Sequence, residues 1–531
     1  MSIQHRSRKV TLAAALLALP LVAASLASCT AGGSGGGSGG GSGSTTAAST
    51  SVVVGFKHEF NTMDPLRADY AQTNMVDNIV YEPLIKFDAA QDNKMIGALA
   101  KEFKVADDAK SVSFTLRDGV TFHDGTRLTA KDVKFSFDRY IRLGQGVASL
   151  LQGYDSTTVV DDSHLVINLK APNAFFINGL ANIYIMEADL VSKNAGADDA
   201  QGWLQAHEAG TGPFEGTDAS SADGTTVKRF DKYWGFDDKR PTQMVFRRID
   251  ESATNRDELK AGNIDVSFGL SAIDATALKG QSGVSVKFVP TSGQTQLWFN
   301  TSTGPTADPK IREGLKLAFD YSGGFQKILN SNGAISSGIL SPAFTCRPGA
   351  KPSAQDKTKA KELLAGLGST ALDLRYQSVD STQTQIATLF QSNLKDLGVT
   401  VNLVPIAFPD YLKTLSDPAT IPGLTLINDY ILTPDPGAGL DKLYNSANIG
   451  GTNKGAYSNP KVDDLLSKAR TTADAGDRCD LYKQVETTVA GDSVQANLFQ
   501  VAFPVGYRSD LKGIDFSWSA TPISFFTLRV G

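Results

Sequence analysis

Histidine and cysteine are scarce in this chain. Its 531 residues hold five histidines and three cysteines. His5, His58, His123, His164 and His207 form no His-x-x-x-His pair, and Cys29, Cys346 and Cys479 form no Cys-x-x-Cys. Zinc sites are built from such close pairs, so no metal and no cofactor are expected. No Gly-x-Ser-x-Gly elbow follows a strand, and the glycine-rich stretch after Gly32 lacks the Lys-Ser/Thr of a phosphate loop. An enzyme is therefore not expected. Neither sign of charge is in large excess: 51 basic face 56 acidic side chains, a net of -5. That balance leaves no electrostatic footprint for nucleic acid. Long apolar runs are missing too. The one near the N-terminus, residues 10–22, is broken by Pro20 and falls short of the roughly 20 residues a membrane span needs.

What is present begins with Arg6, Arg8 and Lys9, a positive segment ahead of that short apolar run. With small residues after it, residues 1–28 read as a signal peptide. Leu26-Ala27-Ser28-Cys29 resembles a bacterial lipobox, which implies that Cys29 is lipidated as the first mature residue. Residues 29–50 are rich in Gly and Ser, then Thr and Ala. Such a segment buries nothing and behaves as a flexible tether. With Cys29 taken by lipid, Cys346 and Cys479 remain as an even pair in an exported chain. A disulfide is expected, two free buried thiols being the alternative.

The length exceeds what one core fills, so two or more domains are expected. Ser51 to Phe56 is apolar and β-branched and reads as a strand; residues 76–87 read as a helix running into an extended piece. Residues 111–117 and 164–169 alternate as half-buried strands do. Thr121-Phe122-His123-Asp124-Gly125-Thr126 reads as a second hairpin arm after the Asp118-Gly119 turn. Thr129 caps a helix with Val133, Phe137 and Ile141 on one face and Asp132 in its first turn. Asp308-Pro309 opens another. Helices end at Gly262, Gly368 and Gly398, each followed by an extended segment, the mark of an α/β layer structure. A final helical stretch runs from Asn459-Pro460 through Val485.

Several segments stand in a telling order. They are Met63-Asp64-Pro65 with Val80-Tyr81-Glu82-Pro83-Leu84; the phrase from Phe114 through Phe122-His123-Asp124-Gly125 to Val133; and Gly210-Thr211-Gly212-Pro213-Phe214. Tyr233-Trp234-Gly235, Ala261-Gly262-Asn263-Ile264-Asp265-Val266 and Phe299-Asn300-Thr301 follow. Together they resemble the family 5 extracellular solute-binding proteins of the dipeptide- and oligopeptide-binding type. The resemblance implies an α/β, two-lobed periplasmic-binding-protein-like fold (type II, cluster C) with an extra subdomain on lobe 1. Mapped here, lobe 1 takes residues 51–291, its subdomain about 85–208, lobe 2 residues 292–502, and residues 503–531 return to lobe 1.

The same resemblance implies a monomeric, non-catalytic receptor of an ABC importer. It would be lipid-anchored at the outer face of the cytoplasmic membrane and capture di- to oligopeptides for a permease powered by an ATPase. The alternative keeps fold and transport but takes a metal chelate, an opine or a sugar. In peptide-binding relatives a carboxylate in an Asp-Tyr step meets the ligand ammonium. The match is Asn428-Asp429-Tyr430, so Asp429 is the candidate, with Ile427 and Tyr430 beside it. Relatives carry Gly-Trp shortly before this step, where this chain has Thr425-Leu426-Ile427, and their Asp-Pro comes late here, which makes Asp435 a rival. On lobe 1, Asp69-Tyr70-Ala71 matches the ligand floor. Arg375 is expected in a structural ion pair, Trp234 and Trp298 in core packing, and Gly210 and Gly212 in a tight backbone turn.

Overall fold

β-Branched residues at 52–54 stiffen the chain into the strand Ser51–Phe56, and its neighbours build outward from it. The computed structural model describes residues 50–530 except 58–59, 69–70, 89–92, 218–222, 345, 379 and 517–522, and of residues 71–72 the backbone alone. Cys29, the signal segment, all but the last residue of the tether, Asp69 and Tyr70 lie outside the described residues. Ala71 starts the helix Ala71–Val80.

One mixed sheet of 11 strands runs through the described chain. From one edge its order is Val401–Pro405, Leu372–Tyr376, Leu424–Asp429, Val284–Phe299, Gln495–Arg508, Val266–Phe268 and Ser51–Phe56, then Gln243–Arg248, Gly224–Arg229 and Phe214–Gly216, while the short strand Ala334–Ile335 pairs with Gln495–Arg508 off this path. The two long central strands pair antiparallel from Val284 opposite Arg508 to Trp298 opposite Gln495, with a register break between Pro290 and Gln294. A four-stranded sheet stands apart, in the order Ala100–Val105, Ser111–Leu116, His164–Leu169 and Tyr154–Val159.

Apolar clusters cover the large sheet on both faces. Leu297 and Phe299 pack with Leu424 and Leu426 under helices Pro309–Ala318 and Ser381–Lys395. Trp298 and Ile427, one residue out of phase, face the opposite cluster with Tyr411, Tyr444 and Val485. This is the alternation a two-faced strand imposes. The fold is the two-lobed α/β class, with the small sheet as an added layer.

Caps set several boundaries. Asp308 accepts from Lys310 N at 2.8 Å, and Thr129 N donates to Asp132 Oδ2 at 2.8 Å ahead of helix Ala130–Leu143. Two expectations fail locally. Residues 121–126 are a closed turn rather than a hairpin arm: Phe122 N bonds Thr126 O at 2.8 Å, Asp124 Oδ1 accepts from Thr126 N, and Gly125 has φ +92°. Asp124-Gly125 turn chemistry overrides the strand pattern. The last helical stretch is two helices, Pro460–Thr471 and Ala475–Gly491, because Asp474 caps the second by accepting from Asp477 N.

The segments carrying the resemblance meet in space as scaffold. Buried Glu82 accepts from Thr211 Oγ1 at 3.0 Å, Tyr233 Oη at 2.9 Å and Trp234 Nε1 at 3.1 Å. Burial outweighs these bonds and raises its pKa. Trp234 is thus a half-exposed donor, 40% accessible, rather than core, with the Arg117 guanidinium 5.1 Å from its ring centre. Gly210 and Gly212 serve close approach rather than turn geometry: a Cβ would lie 2.0 Å from Val80 O and 2.4 Å from Ile79 O respectively. Arg139 holds Asp64 through two bonds, at 2.9 and 2.7 Å, with both side chains buried. His123 sets Nδ1 2.7 Å from Glu208 Oε1 and Nε2 3.0 Å from Gly212 O. Two acceptors on one ring call for the imidazolium. Burial opposes that charge, but the Glu208 charge and hydrogen bond, with the Gly212 carbonyl, outweigh it and raise the His123 pKa.

Cys346 and Cys479 are bonded across a separation of 133 residues, tying a loop to the last long helix. Replacing both by serine should lower unfolding stability in urea by about 4 kcal/mol; an unchanged midpoint would show that the bond contributes nothing. The raised His123 pKa makes its contribution complete below the unfolded value of about 6.5 and lost as pH rises through the folded value. His123→Gln should therefore cost more stability at pH 5.5 than at pH 9, and an equal deficit at both would remove the charged pair from the account.

Candidate ligand-binding site

The strand Leu424–Asp429 pairs antiparallel with the first long strand, and Asp429 stands opposite Gln294 at the register break. Asp429 therefore sits beside that shift in the central ladder. Tyr430, the next residue, lies against Gly293 in the break: a Cβ there would come within 2.3 Å of its ring. Only glycine leaves room for that ring. Burial, with Asp380 and Asp429 nearby, pushes the Tyr430 phenol pKa up. Ile427 is buried beneath, in the cluster that holds Trp298. Three sequence candidates thus gather at the crossing.

Asp429 is not a bare carboxylate. Its Oδ2 accepts from Trp298 Nε1 at 3.0 Å, and its Oδ1 is ion-paired with Lys454 Nζ. The Asp429 and Lys454 side chains are 15% and 10% exposed. The Lys454 ammonium also stands 6.0 Å from the Trp298 ring centre, and Tyr444 stacks on that indole at 5.7 Å. Lys442 adds a second cation. Burial lowers its pKa, Lys454 lowers it further and Asp429 opposes both, although the residue keeps an exposed surface.

Asp435 belongs to a different arrangement. Its Oδ1 accepts from Gly437 N at 2.9 Å and Tyr482 Oη at 2.7 Å, and its Oδ2 from Arg478 Nε at 3.0 Å and Nη2 at 2.8 Å. Beside this network Phe175, which follows the small sheet in sequence, enters the cluster around Tyr482 with its ring centre 6.3 Å away. Gly437 makes room: a Cβ there would approach the Phe175 ring to 2.4 Å. Ala174 N bonds Arg470 O at 2.8 Å alongside. Asp435 thus organises a contact between segments distant in the chain, with both oxygens engaged.

Arg375 makes no ion pair among the described residues. It lies half-buried opposite Thr425 and Val404. Trp298, 1% exposed, is core as expected, and its indole also positions Asp429. Sequence reading passed over Lys454, Lys442 and Phe175. Lys454 pairs with a carboxylate 25 residues away, a spacing with no helical or strand period to reveal it. An open depression of about 550 Å³ lies elsewhere, beneath the Asp237–Arg529 ion pair, and reaches none of these groups.

Comparison with known proteins places these observations. Residues 94–451 match the model for bacterial extracellular solute-binding proteins, family 5, middle region. The probable D,D-dipeptide-binding periplasmic protein DdpA of Escherichia coli (strain K12) is 29% identical over 485 residues, 88% of this chain and 91% of that one. The glutathione-binding protein GsiB of Shigella dysenteriae serotype 1 (strain Sd197) is 26% identical over 458 residues, covering 83% and 87%. Among solved structures, the periplasmic binding protein DppA of Helicobacter pylori in complex with the peptide STSA superposes with a TM-score of 0.75 at 22% identity, covering 91% and 98%.

The hydrogen-bond pattern separates Asp435 from Asp429 by experiment. Asp435→Asn breaks a largely buried pair with Arg478 and should lower stability by about 3 kcal/mol in chemical denaturation. Ligand affinity at saturating folded protein should change by less than about twofold. A large affinity loss at unchanged stability would make Asp435 the ligand carboxylate.

Proposed function

Because the chain belongs to the family 5 bacterial extracellular solute-binding proteins, we propose that it is the receptor of an ABC importer and captures peptides outside the cytoplasmic membrane. The observation that carries the reading is the family match over a chain whose largest sheet is continuous through two long antiparallel strands. Residues 51–291 with 503–531 form one lobe and 292–502 the other, hinged where the register breaks between Pro290 and Gln294. Closure about such a hinge buries a solute between the lobes. Buried polar groups of the ligand then need partners, and edge-on backbone pairing supplies them for a peptide whatever its side chains. The ligands named for relatives, a D,D-dipeptide, glutathione and the peptide STSA, support a peptide as cargo.

The site is the region around Ile427, Asp429 and Tyr430, with Asp69-Tyr70-Ala71 as the first lobe's contribution on the strength of the sequence match. The protein performs no chemistry on its cargo. It hands the peptide to a membrane permease driven by a separate ATPase. Cys29 carries the lipid and residues 29–50 tether the folded body to the membrane; the lipobox-like Leu26-Ala27-Ser28-Cys29 supports this anchoring.

Mass spectrometry of whatever co-purifies with the mature protein, released by denaturation after gentle isolation, tests the reading. A ladder of heterogeneous short peptides is expected, and the N-terminal fragment should carry a lipid on Cys29. A single non-peptide mass would retain the receptor and replace the cargo by a chelate, an opine or a sugar.

A further inference from the structure

Lys454 fills the place a ligand ammonium would take on Asp429. Its Nζ pairs with Oδ1 while Trp298 Nε1 holds Oδ2, so both carboxylate oxygens are engaged from within the chain. The two side chains are 10% and 15% exposed, and the pair lies over the buried Trp298–Tyr444 stack. An incoming ammonium would reach the carboxylate only by stranding Lys454 in this poorly hydrated spot. An unpaired charge there is strongly unfavourable, and exchanging one ammonium for another brings no compensating attraction. A carboxylate already paired with a fixed ammonium offers little attraction to a second cation, and that ammonium favours an acceptor or an anion.

We propose that Lys454 determines specificity: it closes Asp429 to free amino termini and selects peptide-like solutes presenting a carboxylate, a carbonyl or an acylated amine at this end. The inference deepens the reading of this region as a peptide site and rests on it. It also gives the departure from the Gly-Trp pattern a physical content. Thr425 and Leu426 are buried in the strand, while the indole beside Asp429 comes from Trp298 on the neighbouring strand.

A tripeptide pool randomised at every position, prepared once with free and once with acetylated amino termini, serves as the probe. Binding to the full mature protein is read by native mass spectrometry. The wild type should take the acetylated pool at least about tenfold better than the free one. Lys454→Met removes the ammonium and exposes Asp429, and should move the ratio at least about tenfold toward free amines. The double variant Asp429→Asn, Lys454→Met carries neither charge and should lose the selectivity, which separates a charge effect from a folding defect. A wild type that prefers free amines, or a ratio unmoved by Lys454→Met, overturns the inference and leaves the peptide reading standing. Binding of neither pool overturns the peptide reading and the inference with it.

Discussion

The pairing of Val284–Phe299 with Gln495–Arg508 is the constraint on which the molecule depends. The large sheet runs through these two strands, and apolar clusters rest on its faces. The register of the ladder shifts between Thr295 and Gln296 and, over a longer gap, between Pro290 and Gln294. Side chains take over there: Thr291 Oγ1 donates to Val501 O at 2.9 Å, and Gln500 Nε2 and Ser341 Oγ donate to Thr291 O at 2.9 and 3.0 Å. Ser292 Oγ and Gln294 Oε1 are buried there without a hydrogen-bond partner among the described residues. Each such group costs about 1–3 kcal/mol. A sheet that keeps this break despite its cost has a bending point that an unbroken ladder would not give.

Much of the fold was legible because the recognisable segments are scaffold. Glu82, Thr211, Tyr233 and Trp234 come from three separate segments and close one hydrogen-bonded cluster. His123 and Asp64 do the same with Glu208 and Arg139. Such residues fix how layers stack, so their order along the chain identifies the fold. Caps and glycine stops were legible for a local reason: Thr129, Asp308 and Gly262 act within a few residues of themselves. The failures were also local. A turn at Asp124-Gly125 and a cap at Asp474 defeated longer patterns drawn across them.

The site was legible only by position. Ile427, Asp429 and Tyr430 lie together because they are consecutive on one strand end, which sequence shows. Their surroundings come from afar. Lys454 arrives from a loop beyond the next helix, Trp298 from the first crossing strand, and Gly293 from the break itself. Ion pairs between distant segments carry no period, so a carboxylate read alone looks free when it is already neutralised. The reverse holds for Arg375, whose expected ion partner does not exist among the described residues.

The candidate residues stand at the break. Asp429 is held opposite Gln294, and the Tyr430 ring rests where Gly293 lacks a side chain, so any change of register there displaces both. A ligand shifts such an equilibrium only by its difference in affinity for the two arrangements. Contacts that already join distant segments without a ligand reduce what the ligand must supply. Phe175 against Gly437 and Tyr482, with the Ala174–Arg470 bond, is such a contact. Asp435 and Arg478 hold its receiving surface rigid. The two acids that sequence reading set against each other therefore stand in different arrangements, Asp429 at the register break beside Lys454 and Trp298, and Asp435 in the network that receives Phe175.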